Sequence, residues 1–449
     1  MRSVLPRRVP RHPRFRSGRV GLAVRLVALA AVGTMALAAC TTSTPPTVTV
    51  TQHADGSQVT APSLSTSPGA PTSSSTGGSA TPTSSSATDA IRVTATPAFG
   101  SSDVGPNDPI SVMAFHAQLK SMTMSGSDGS VVNGQMGDGN NSWSNTDKLK
   151  YGVKYTISGE AVGTDGTSQP IDGTITTVKP ASTMAAYIQI PNDSTVGIAA
   201  PIVVTFAGTV TNRAAAEKEL HVTINGGQQI EGSWGWMQDE DIQGKGVKQS
   251  RVHFRPKDFW PAKAKVHVEA DLYGVNYGTG WGRENLTRDF NIGPKIIVKT
   301  DIEKHRLYVI QDDQVIKNYP VSYGKPASVD AGRTTVSGVH VITEKFEVKS
   351  MCNPKYGYCG IKEPWAVRIN NNGEFIHANP ETEKLGLLGK ANITHGCVNM
   401  SVADAKDFYN LAYYGIPVDV EGTGVKMSYS DYIWDWGVDY NTWKSFSAL

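Results

Sequence analysis

Cysteine is scarce in this chain. It occurs four times in 449 residues, at positions 40, 352, 359 and 397, so each one calls for its own explanation. Net charge is scarce as well. The formal value is +2, yet eight arginines (2, 7, 8, 11, 14, 16, 19 and 25) fall in residues 1–39, which carry no acid; without them the balance is −6. Such a balance offers no electrostatic support for nucleic-acid binding, which excludes that class of partner. Long apolar runs are nearly missing too. The one run, Leu26 to Ala39, is too short for a stable transmembrane anchor, and none of spanning length follows. Long helical periods are missing from Ile91 onward, which argues against a helical bundle.

What is present begins with an export signal: basic residues, then the short apolar run. It ends in Leu37-Ala38-Ala39-Cys40, which resembles the lipobox of bacterial lipoproteins. The resemblance implies that Cys40 is lipidated and becomes the new N-terminus, so that attachment to the membrane rests on lipid alone. An ordinary signal peptide cleaved nearby is the alternative. Residues 40–90 form a tether. Among residues 41–90, 31 of 50 are Ser, Thr or Pro and only Asp55 and Asp89 are charged, which cannot bury a core.

From Ile91 short alternating strands such as Tyr155 to Val162, punctuated by Gly, Asp and Asn, predict β-sandwiches of immunoglobulin type. A similar beginning recurs: Val104-Gly105 before Pro109-Ile110-Ser111-Val112, then Val196-Gly197 before Pro201-Ile202-Val203-Val204. Two copies of one module follow, 91–178 and 179–293, the second holding a short helix from Asn212 to Leu220. Its Trp234, Trp236, Trp260 and Trp281 suit core or interdomain packing, with sugar binding as the alternative. Length alone, at roughly 150 residues per domain, leaves room for one more.

That domain spans 294–424 and is again rich in strands: Lys295 to Lys299, Arg306 to Ile310, Gln314 to Val321, Gly338 to Glu344 and Trp365 to Ile369. Its main helix starts at Ser401, a cap with Asp404 three residues on, carries Ala405, Phe408 and Ala412 as its apolar stripe, and stops at Gly415. A strand from Ile416 to Val420 follows. The 425–449 tail, with Trp434, Trp436 and Trp443, is expected to pack back on the domains. The fold class is thus mainly β: two sandwiches, a β-rich third domain with one main helix, and a Trp-rich end.

Two stretches carry chemistry. Thr394-His395-Gly396-Cys397-Val398-Asn399 places a cysteine four residues before the helix cap, and Gly373-Glu374-Phe375-Ile376-His377 ends a strand in histidine. Cys397 as thiolate and His377 as base would suit acyl transfer, with N–H groups of His395, Gly396 and Cys397 facing an oxyanion. A buried inert cysteine and a structural histidine are the dull reading. A zinc site of two histidines and a cysteine is another, disfavoured because closer ligand spacing is missing. Cys352 and Cys359, with Pro354 and Gly357 between them, can close a small disulfide loop after export.

The pattern His377, sixteen residues, then Thr394-His395-Gly396-Cys397-Val398-Asn399 resembles the L,D-transpeptidase catalytic (YkuD) domain, over about residues 294–424. The whole layout looks like that of mycobacterial and related actinobacterial enzymes. The resemblance implies a peptidoglycan acyltransferase without cofactor or metal. Cys397 attacks a tetrapeptide donor stem, D-alanine leaves, and a second stem accepts the acyl group in a 3→3 cross-link. Hydrolysis of the same acyl-enzyme, an L,D-carboxypeptidase, is one alternative; a wall-binding protein with a vestigial third domain is the other. The resemblance further implies the Ala378 carbonyl orienting His377, support from His395 and Asn399, Gly396 at the oxyanion hole, and a lid from Met351 to Gly357 with Tyr356 lining the substrate path. Met351, Asn399 and Trp365, the last beginning the strand leading to His377, join Tyr356 as expected substrate-binding residues on that path, and carbapenem β-lactams would acylate Cys397. Ala378 replaces a frequent serine, Thr394 stands for serine, and the lid, bracketed by Cys352 and Cys359, lacks a counterpart to a second lid tyrosine.

Overall fold

The computed structural model describes residues 90–429 and 432–449. The expected export signal, Cys40 and all but the last residue of the tether lie outside the described residues. Alternation builds the first sandwich. In Lys154–Gly163, Tyr155 and Ile157 turn inward while Lys154 and Thr156 face out, because successive strand side chains point to opposite faces. Arg92–Thr96, Ser111–Phe115, Ser142–Asn145 and Gly134–Met136 form one sheet; Val131–Val132, Ala117–Gly126, Lys154–Gly163 and Ser168–Thr176 form the other. Val112, Leu119, Trp143, Tyr155 and Ile175 fill the space between.

The second sandwich repeats the plan with Ile202–Phe206 and Arg251–Pro256 central in one sheet and Lys265–Ala270 central in the other. The recurrent Val-Gly beginnings occupy matching places: Val104 bridges Thr177 in parallel and Val196 pairs with Ile292 in parallel. Each ties the start of a sandwich to its final strand. Trp234, Trp236 and Trp260 are buried. Their indole N–H groups donate to Leu220 O, Glu217 Oε2 and Ala200 O at 3.2, 2.8 and 2.7 Å. A ring whose apolar face and polar edge are both taken is a packing element. Trp281 lies edge-on to Tyr151 of the first sandwich, centroids 6.0 Å apart. The expected short helix is Arg213–Glu217, capped by Asn212.

Two sheets share one core in the third domain, with Val298, Leu307, Ile376, Val398, Phe408 and Val418 inside. One runs Gln314–Pro320, Arg306–Gln311, Ile296–Asp301, Pro417–Val420, Gly338–Val341; the other Glu344–Asn353, Tyr358–Arg368, Phe375–Ala378, Val398–Met400. The helix Val402–Leu411 starts where its cap predicts, Ser401 Oγ accepting from Asp404 N at 3.0 Å. Its end differs from expectation. Ala412 turns extended and stops the helix, while Gly415, at φ +92°, serves a close approach instead. There Gly197 N donates to Tyr414 O at 2.8 Å and Ala199 N to Gly415 O at 2.9 Å, docking the second sandwich on the third domain.

A Cβ on Gly197 would fall 2.2 Å from the Gly415 carbonyl carbon, and backbone cannot yield as a side chain can. Gly197→Ala should therefore destabilise the protein by about 1–3 kcal/mol. Thermal melting would show this as a lower transition temperature, and an unchanged one would refute a tight junction.

The lid region is longer than the expected Met351 to Gly357. Glu344–Asn353 and Tyr358–Arg368 form one long antiparallel hairpin. Its strands escaped notice because Val348 and Ile361 are 56% and 46% exposed, so no buried stripe marks them. The tail packs mainly on the second sandwich. The Arg255 guanidinium stands 4.5 Å from the Trp436 ring centre and 5.5 Å from that of Trp443, while buried His253 Nδ1 and Asp435 Oδ1 lie 3.0 Å apart.

Candidate active site

Parallel pairing brings the two chemical stretches together. Phe375–Ala378 lies beside Val398–Met400 with Ile376 opposite Val398 and His377 opposite Asn399. Because strand side chains alternate, His377 and Asn399 share a face, and Cys397, two residues before Asn399, enters on that same side. His377 and Cys397 both line one cavity of about 710 Å³ with Met351, Glu363, Asn379 and His395.

His377 is buried, and its Nδ1 lies 2.7 Å from the Ala378 carbonyl oxygen. A carbonyl only accepts, so Nδ1 carries the proton and Nε2 keeps its lone pair. Burial lowers the imidazole to about 4, the Ala378 bond opposing this in part. Burial pushes the Cys397 thiol up to about 12; a backbone bond from Phe375 opposes the shift, and the Glu374 and Glu363 carboxylates add to it. The resting pair at neutral pH is therefore thiol and imidazole, not thiolate and imidazolium. The thiol lies 3.7 Å from Gly373 O and shares its cavity with the neutral imidazole, a base that can take its proton as it attacks.

The loop between them is fixed from behind. Thr335 Oγ1 donates to Gly396 O at 2.8 Å and Thr394 Oγ1 to Cys397 O at 2.6 Å. Gly396 has φ +113°, a left-handed backbone that favours glycine. Its N–H, expected to face an oxyanion, donates instead to Thr394 Oγ1 at 3.2 Å. Asn399 lines the same cavity, and its side chain is braced by donating to Thr382 Oγ1 at 2.9 Å. Among the described residues, no three His, Cys, Asp or Glu side chains converge as a metal site.

Cys352 and Cys359 are opposite one another in the lid hairpin and disulfide-bonded, leaving Cys397 as the free cysteine among the described residues. Tyr356 meets the His395 ring at 4.9 Å between centroids, and Tyr358, given no role by sequence reasoning, meets it at 5.3 Å. Only the hairpin register, which sets Tyr358 across from Asn353 at the tip, reveals that second tyrosine. Burial, Arg333 and Lys325 hold His395 below the ordinary histidine range.

Trp365 departs from its expected place on the substrate path. It sits at φ 54° and is skipped in the ladder, although the register is the same on either side (Phe346 with Ala366, Val348 with Pro364), and its ring turns to Tyr409 of the helix at 5.4 Å. Glu363, unmarked in the sequence, is buried behind His377, with Oε1 accepting from Asn379 Nδ2 at 2.8 Å and Oε2 3.7 Å from His377 Nδ1. Burial raises its carboxyl to about 7, the Asn379 bond opposing.

The chain is similar to known proteins over most of its length. Residues 295–420 match the model of the L,D-transpeptidase catalytic domain, and residues 101–276 that of a bacterial Ig domain. L,D-transpeptidase 5 of Mycobacterium tuberculosis (strain ATCC 25618 / H37Rv) is 42% identical over 363 residues, 80% of this chain and 78% of that protein. L,D-transpeptidase 2 of Mycobacterium tuberculosis (strain CDC 1551 / Oshkosh) is 28% identical over 367 residues, 80% and 85% of the two. The solved structure of LD transpeptidase LdtMt1 in complex with imipenem aligns with 54% of this chain and 100% of its own, at 26% identity and a TM-score of 0.42. With most of its length matched to such an enzyme and a catalytic-domain match over residues 295–420, the chain belongs to the L,D-transpeptidases, an acyltransferase family.

Proposed function

We propose that Cys397 is the nucleophile of a peptidoglycan L,D-transpeptidase with His377 as its base. Sγ attacks the carbonyl of diaminopimelate at position 3 of a donor tetrapeptide stem, while its proton passes to His377 Nε2. The C–N bond to D-alanine breaks and the departing amine takes that proton. The side-chain amine of a second stem then attacks the thioester, Sγ leaves as the thiol, and a 3→3 cross-link remains. The observation that supports this best is the parallel pair of strands delivering both groups to one cavity, with His377 Nδ1 already committed to Ala378 O.

The other roles follow from reach. With the Gly396 N–H turned to Thr394, the N–H groups of His395 and Cys397 are the donors for the developing oxyanion. Tyr356, Tyr358 and Met351 of the lid close the donor path over His395. Carbapenems would acylate Cys397 as the stem carbonyl does; imipenem is the ligand in the LdtMt1 structure named above. Export with lipid on Cys40 and the polar tether would set the enzyme at the outer face of the cytoplasmic membrane, toward the wall. The test is mass spectrometry of products from a defined disaccharide-tetrapeptide. A cross-linked dimer with one D-alanine lost is the expected result, whereas tripeptide alone would make the enzyme an L,D-carboxypeptidase.

A further inference from the structure

We propose that Glu363 is a positioning residue for acylation, its carboxylate stabilising the imidazolium that His377 becomes when it takes the Cys397 proton. This rests on the functional reading above and adds a group that reading does not use. Three observations carry it. The carboxylate stands in the same cavity as His377 and Cys397, with Oε2 3.7 Å from His377 Nδ1. Its other oxygen is fixed by Asn379 Nδ2 at 2.8 Å, and Asn379 in turn caps the following helix by accepting from Thr382 N at 2.7 Å. The carboxylate is therefore held in place, not swinging. Third, Nδ1–H is already bound to Ala378 O, so Glu363 acts by charge on the ring and not by taking its proton.

The charges around Glu363 leave its own charge available. Lys349 is its partner across the hairpin, but that ammonium sits over the Phe346 ring at 4.4 Å. Lys406, from the helix packed on this strand, lies over Trp365 at 5.1 Å, and Glu383 of the capped helix accepts from Val402 N. Of the other titrating groups lining the cavity, Tyr358 and Cys397 are neutral at pH 7, Arg368 Nε donates to Glu344 Oε2 at 2.7 Å, and Glu374 accepts from Val336 N at 2.8 Å and Asn370 Nδ2 at 3.1 Å. An anion held 3.7 Å from a ring about to turn positive favours the charged ring.

The sign of the pH dependence follows. The Glu363 carboxyl is held at about 7, so the anion that helps the reaction is present above that pH and lost below it. His377, near 4, and Cys397, near 12, do not titrate in that window, and His395 lies below its ordinary 6.5. A rise in acylation rate centred near pH 7 would then report Glu363.

The experiment is stopped-flow acylation by imipenem between about pH 5.5 and 8.5, with intact-mass detection of the adduct, for wild type, Glu363→Gln and Glu363→Asp. Glutamine keeps the shape and the Asn379 bond. It should react about 10- to 100-fold more slowly at pH 8, roughly 1.4–2.7 kcal/mol, with no rise near pH 7. Aspartate keeps the charge at a greater distance, so it should fall between the two and retain the rise. A glutamine variant that matches wild type at every pH, or one that is uniformly slower with the rise intact, overturns the proposal while leaving Cys397 as nucleophile. Wild type forming no adduct would overturn that reading and this one together.

Discussion

Cys397→Ala should yield neither D-alanine nor dimer from a tetrapeptide donor, a loss of about 10⁴-fold or more in turnover. No other free cysteine among the described residues can form the thioester. The loss would be chemical rather than structural. The loop is held through backbone atoms, Thr335 on the Gly396 carbonyl and Thr394 on that of Cys397, and a Cβ remains in the variant. Its melting temperature should therefore stay within the range of a change of about 1 kcal/mol. Chromatography of the products decides the matter, and an alanine variant that still cross-links would end the assignment.

Removing the base should cost somewhat less, and in a different way. His377→Gln is expected to slow acylation about 10²- to 10⁴-fold. With the thiol held near 12, roughly one molecule in 10⁵ is thiolate at pH 7 without help. The variant must draw on that population, so its rate should climb about tenfold per pH unit from about 7 to 9. Wild type should lack this sustained tenfold climb, because His377 is already neutral above about 4 and the rise due to Glu363 levels off above about pH 7 to 8. A glutamine variant with a flat profile over that range would mean that His377 is not the group that receives the proton.

The cysteine motif, its partner strand and the capped helix were legible because each is local. Ser401 and Asp404 lie three residues apart and meet in a cap, and His377 lies in a strand, Phe375–Ala378, that its own apolar neighbours define. The tryptophans of the second sandwich read correctly as packing for a similar reason: large rings at strand spacing mark a core. What escaped reading depends on register and on distant backbone. Tyr358 and Glu363 acquire meaning only when the hairpin folds and its second strand, Tyr358–Arg368, is laid beside Phe375–Ala378. Trp365 leaves the substrate path because its left-handed φ turns the ring to the helix, and no residue type announces that. The Gly396 N–H, expected free, turns toward a hydroxyl two residues away. Gly415, taken as a helix stop, is in fact shaped by Gly197, more than two hundred positions earlier in the chain.

The tail has a consequence for how the protein comes apart. Chain order runs second sandwich, catalytic domain, tail, yet Arg255, His253 and Ser233 of that sandwich hold Trp436, Asp435 and Trp443 after the catalytic domain has been completed. The catalytic domain is thereby clasped at both of its ends by one neighbour. Neither part can open without exposing the rings of the clasp, so the two should unfold cooperatively, as one calorimetric transition.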